Sequence, residues 1–109
     1  MEISTRTSGD IHIISVSGSL DSATAPAAQK ALGDVLAGAK KVALDFSALD
    51  YISSAGLRVL LGVAKQLRAS GGSLRMFGLN QSVREVFEIS GFASILPIYP
   101  SEAEALGAT

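Results

Sequence analysis

Val42-Ala43-Leu44-Asp45-Phe46-Ser47-Ala48-Leu49-Asp50-Tyr51-Ile52-Ser53-Ser54-Ala55-Gly56-Leu57-Arg58-Val59-Leu60-Leu61 decides the fold, because its apolar period changes partway along. Val42, Leu44 and Phe46 repeat every second residue and share one side of a strand. From Leu57 the repeat is helical: Leu57, Leu60, Leu61, Ala64 and Leu67 form one stripe of a helix expected from about Ser54 to Ala69. Ser47 to Ile52 reads as a short connection between the two. A strand passing quickly into a helix is the repeating element of an α/β sheet.

The same alternation continues on both sides. Downstream, Ser70-Gly71-Gly72 stops the helix, and Leu74 to Gly78 is a further strand. Asn80 or Ser82 opens a third helix with Val83, Val86 and Phe87 inward. Ser82 and Glu85 have capping-box spacing, and Gly91 supplies the C-terminal cap. Ile95 to Tyr99 reads as a last short strand, and Ser101 with Glu104 starts a terminal helical turn. Upstream, polar β-branched residues from Glu2 to Thr7, the turn Ser8-Gly9-Asp10 and the run Ile11 to Val16, closed by Gly18, read as a hairpin. Asp21 to Ala37 then places Ala25, Ala28, Leu32, Val35 and Leu36 on one helical face. Asp21, Ser22 or Thr24 can cap its start, Pro26 is tolerated in its first turn, and Gly38 ends it.

The predicted order is β-β-α-β-α-β-α-β-α, a mixed, mostly parallel sheet with helical crossovers and an antiparallel N-terminal strand. One domain over residues 1–109 is expected. Two segments should meet at the carboxyl edge of the sheet: Gly18-Ser19-Leu20-Asp21 and Asp50-Tyr51-Ile52-Ser53-Ser54.

Composition excludes several functions. Nine Lys and Arg against ten Asp and Glu give a net charge of −1, which supplies no field for gripping nucleic acid. There is no Cys, and the single His12 lies inside a strand run, so neither a zinc site nor a nucleophile–base pair is expected. Asp45 reads as an outer strand residue and Asp50 as a turn former rather than as ligands. No G-x-S-x-G elbow or phosphate-binding G-x-x-x-x-G-K loop is present. No apolar run approaches the roughly 18–20 residues that span a bilayer, and the first residues lack a signal-peptide pattern. A cytoplasmic protein with no cofactor, no metal and no transmembrane segment is expected. Gly62, inside the second helix, is read as a point of close backbone packing.

Small residues at Ser53-Ser54-Ala55-Gly56 open a helix N-terminus, where free N–H groups and the helix dipole favour negative charge. From local chemistry alone the pair reads first as Ser53 acting as an ordinary N-cap, with the small residues allowing tight packing, and only second as a modification site. Asp21 can likewise cap the first helix or offer a carboxylate to a partner.

In register, four segments resemble the STAS domain family, of the stand-alone anti-sigma factor antagonist type. These are Gly18-Ser19-Leu20-Asp21; Val42 to Ser47 with Leu49; Tyr51 to Leu57, similar to that family's D-S-[ST]-G-L; and Val83 to Phe92. The resemblance implies a STAS-like fold and a binding module rather than an enzyme. It also implies partner switching: the unphosphorylated form binds an anti-sigma factor that is also an ATP-binding, histidine-kinase-like serine kinase, releasing sigma. Phosphorylation at Ser54, with Ser53 the lesser candidate, ends binding, and a phosphoserine phosphatase resets it. Aligned on Gly56-Leu57, Ser19, Asp21, Ser53, Ser54, Gly56, Leu57 and Arg58 are the expected partner-binding residues. Ser53 stands where many members have Asp, and Arg58 where many have Gly. The rival expectation is a STAS subunit of a membrane-associated lipid-transport ABC complex or another non-sigma partner-switch scaffold; small-ligand binding at the sheet edge is a third, and a hydrolase a remote fourth.

Overall fold

The computed structural model describes residues 1–94 and 96–107. A hairpin opens the chain, β1 (Glu2–Ser8) and β2 (Ile11–Leu20), antiparallel about a Gly9-Asp10 turn. Then follow α1 (Ala25–Leu36), β3 (Lys41–Asp45), β4 (Leu49–Ile52), α2 (Ser54–Ala69), β5 (Ser73–Phe77), α3 (Gln81–Ser90), a 3-10 turn (Phe92–Ser94), β6 (Ile98–Tyr99) and α4 (Glu102–Gly107). The sheet runs β1-β2-β3-β5-β6, parallel after the hairpin, with β4 attached to β2. The mixed, mostly parallel architecture is the one expected.

Alternating side chains feed both faces. Ile14, Val16, Val42, Leu44, Phe46, Leu74 and Met76 join one large core with Leu32 of α1, Leu57, Leu60 and Leu67 of α2, and Val83 and Phe87 of α3. On the other face Ile11, Ile13, Ala43 and Phe77 pack under Ala105 of the short α4. Adjacent residues such as Ile13 and Ile14 are therefore both fully buried.

Several boundaries differ from the sequence reading, each for a local reason. β2 does not end at Gly18. Gly18 takes φ 80°, the left-handed region open to glycine, and the strand runs on through it to Leu20. The connection Ser47 to Ile52 contains β4, which pairs parallel with that extension. Asp45 organises the turn leading into it: its Oδ1 accepts from the Ser47 N–H (2.9 Å) and Oγ (2.6 Å). Helix α1 starts at Ala25 with Thr24 as N-cap, and Pro26 falls in its first turn. It ends at Ala37 in right-handed geometry, so Gly38 is not a left-handed cap. Asn80, not Ser82, caps α3: its Oδ1 accepts from the Val83 N–H at 2.8 Å. Gly91 closes α3 at φ 81°, as expected. β6 is only two residues long, since Pro97 has no N–H to donate to a ladder; Ile95, assigned to this strand from sequence, lies outside the described residues.

Gly62 corrects another expectation. Nothing lies within 4 Å of where its Cβ would stand, and it faces an open groove between α1 and α2. It relieves no steric crowding, while a glycine in mid-helix costs about 1 kcal/mol relative to alanine. Gly62→Ala is expected to raise stability by about 0.5–1 kcal/mol in thermal or denaturant unfolding. A drop in stability would restore the close-packing explanation.

Candidate functional site

The two segments expected to converge do so as paired strands. β2 and β4 align Gly18 with Leu49, Ser19 with Tyr51, and Leu20 with Ile52. Partners advance by two on β4 where they advance by one on β2, which leaves Asp50 as the bulged residue. For that reason Leu49 and Ile52, three apart, both enter the core while Tyr51 stays 51% exposed. The pairing continues into the helix start, where the Ser53 N–H donates to the Leu20 carbonyl at 2.9 Å. Asn80 Nδ2 donates to the Leu49 carbonyl at 3.0 Å and ties α3 to the back of the same edge.

The serine pair is split by this geometry. Ser53 is the N-cap of α2 in extended conformation, but its side chain accepts no capping bond from the first turn. Its Oγ is buried and, among the described residues, has no hydrogen-bond partner. Ser54 is the first helical residue and is exposed. Helix α2 has no acidic residue in its first turn, so its positive end is compensated neither by a cap nor by a carboxylate. One turn further on, Arg58 is exposed beside the α1–α2 groove.

The remaining candidates divide between surface and interior. Ser19 and Asp21 are half-buried on the facing strand end. Asp21 Oδ1 accepts from the N–H groups of Ala23 (3.0 Å) and Thr24 (3.1 Å), so one carboxylate oxygen organises the entry to α1. Gly56 and Leu57, expected among partner contacts, both point inward. Leu57 is 3% exposed in the core, and Gly56 lies against the Leu20 carbonyl. Tyr51, exposed two residues before the first serine, is not singled out by the sequence reading; the available signal is an aromatic residue directly after a turn-forming Asp50.

This arrangement is a mostly polar edge. Among the described residues there is no cluster of three His, Cys, Asp or Glu side chains fit to hold a metal, and no helix long and apolar enough to cross a membrane. The edge, two converging strands feeding an uncapped helix start, is suited to contact with another macromolecule.

The STAS domain family model matches residues 2–105. The chain belongs to the STAS domain family, and its relatives there are anti-sigma factor antagonists. The anti-sigma-B factor antagonist of Listeria monocytogenes is 35% identical over 109 residues, spanning 98% of this chain and 94% of the relative. The "Putative anti-sigma factor antagonist BtrV" of Bordetella bronchiseptica is 58% identical over 71 residues, which cover 65% of this chain and 61% of that protein's length. The crystal structure of an anti-sigma factor antagonist from Mycobacterium paratuberculosis superposes with a TM-score of 0.90 at 27% identity, over 98% of this chain and 92% of that one.

Proposed function

We propose that this chain is a phosphorylation-controlled anti-sigma factor antagonist with Ser54 as its phosphoacceptor. Unphosphorylated, it binds an anti-sigma factor through the edge formed by Ser19, Asp21, Tyr51, Ser54 and Arg58, and sigma is released. The anti-sigma factor acts as a serine kinase. Ser54 Oγ attacks the γ-phosphorus of bound ATP, the bond to the β–γ bridging oxygen breaks, ADP departs, and the hydroxyl proton passes to a base of the kinase. The new dianionic group occupies a surface that was neutral, binding is lost, and a phosphatase restores the hydroxyl. The chain is then a substrate and a binding module working in the cytoplasm, with no catalytic chemistry of its own.

The observation that carries this reading is the contrast within the serine pair. Ser54 is exposed at an uncapped helix start, while the Ser53 hydroxyl is buried. A phosphate on Ser54 extends into solvent at the end of a helix that favours negative charge. On Ser53 it would have to be accommodated where the hydroxyl oxygen is already buried. The names of the relatives support an anti-sigma factor as the partner class.

Incubation with ATP and the cognate anti-sigma factor kinase, followed by intact mass, tests the proposal. One added phosphate is expected on the wild type and on Ser53→Ala, and none on Ser54→Ala. A phosphate that persists in Ser54→Ala, or none on any variant while the protein copurifies with a transporter ATPase, would overturn it.

A further inference from the structure

Arg58 has no acidic neighbour on its own helix. Helix α2 contains no Asp or Glu along its 16 residues, and Arg58 lies one turn in from its start. Its neighbours four residues away on either side are Ser54 and Gly62, so no acidic side chain is placed to pair with it along the helix. The ion pairs among the described residues, Arg6 with Glu102 and Lys41 with Asp10, lie elsewhere. Asp21 has one oxygen committed to the backbone N–H groups of Ala23 and Thr24 just before α1. Arg58 is thus an exposed cation one turn from the serine pair, with no acidic partner along its helix.

We infer that Arg58 is the clamp for a phosphate on Ser54, an inference that rests on Ser54 being the site of modification. Residues i and i+4 of a helix are neighbours, and both side chains are exposed here. A guanidinium binds a phosphate through two parallel N–H···O bonds, which a lysine cannot reproduce. The clamp has two consequences. The phosphate supplies the negative charge that the start of α2 lacks, so modification tightens the helix end rather than fraying it. It also folds Arg58 back onto its own chain, so phosphorylation both introduces a bulky anion and withdraws a cation from the edge a partner would meet. Arg58 thereby sets how completely one phosphate changes that surface.

The test needs no kinase. Phosphoserine is installed at position 54 during translation, and its second ionisation is followed by 31P NMR in the wild type, Arg58→Gln, Arg58→Lys and Lys65→Gln. An unperturbed phosphoserine titrates near pH 6. The phosphoserine pKa is expected to be higher by roughly 0.3 units or more in Arg58→Gln than in the wild type, with Arg58→Lys between them and Lys65→Gln unchanged. The thermal midpoint of the phosphoprotein should also exceed that of the unmodified protein by more in the wild type than in Arg58→Gln. Equal pKa values in the wild type and Arg58→Gln, or an equal shift in Lys65→Gln, overturn the clamp. Because the phosphate is built in, these outcomes are independent of whether a kinase modifies Ser54, which the mass experiment above decides.

Discussion

Ser54→Asp is expected to weaken binding to the cognate anti-sigma factor by tenfold or more while leaving the fold at least as stable as before. The two effects arise from the same charge in different surroundings. In the free protein, position 54 is the exposed first residue of α2, whose end has no acidic partner and no side-chain cap. A carboxylate there meets the helix dipole favourably, by about 0.3–1 kcal/mol. In the complex the same carboxylate is taken from water into an interface, where an unpaired charge costs several kcal/mol. Losing even about 1.4 kcal/mol of that lowers affinity tenfold. Aspartate carries less charge than phosphate, so the effect of real phosphorylation should be larger. Calorimetric titration and a thermal melt on the same sample read both quantities. Affinity equal to the wild type would remove Ser54 from the interface. A fall in both affinity and stability would mean that the substitution disturbs the helix, and the binding loss would then say nothing about the surface.

Most of the architecture is legible in the sequence because the apolar period changes clearly at each junction. Val42, Leu44 and Phe46 alternate, Leu57, Leu60 and Leu67 do not, and all six are buried as that pattern requires. What periodicity cannot show is the edge itself. Leu49 and Ile52 are three apart, a spacing that fits a helix face rather than a strand, because a bulge at Asp50 resets the alternation. Gly18 looks like a stop and is instead the left-handed hinge that turns β2 from β3 towards β4. Ser53 and Ser54 are chemically identical, and only the family register prefers the second; their different burial arises in the folded chain, where the Ser53 N–H donates to the Leu20 carbonyl. Asn80 and Ser82 were equivalent as caps for a similar reason. Asn80 is selected because its amide also reaches the Leu49 carbonyl across the fold.

Gly56→Ala is expected to be among the most destabilising single-methyl additions in the chain. In sequence Gly56 reads as a small residue that keeps a helix start open to a partner. In the structure its missing side chain faces the opposite way. A Cβ there would stand 2.6 Å from the Leu20 carbonyl oxygen, 2.8 Å from Ile52 Cγ1 and 2.9 Å from Leu20 Cγ. Leu20 and Ile52 are each 1% exposed, so their side chains have no room to retreat. The Leu20 carbonyl cannot swing aside either, since it accepts the Ser53 N–H bond that joins α2 to β2. The gain in helix propensity from alanine, up to about 1 kcal/mol, is therefore outweighed by overpacking, which costs about 1–3 kcal/mol and sometimes more. For a domain of this size each kcal/mol moves the thermal midpoint by about 4–8 °C. Gly62→Ala, six residues along the same helix, adds the same methyl group in open space and should move the midpoint in the opposite direction. The pair separates helix propensity from close approach without changing the chemistry of the substitution. If Gly56→Ala folds but shifts α2 outward, the amide resonances of Ser53 and Ser54 should move with it, and phosphorylation by the kinase should slow even where the protein remains folded. A midpoint equal to the wild type would mean that α2 does not pack against the Leu20 carbonyl as described, and the close approach that holds Ser54 at the strand edge would have to be abandoned.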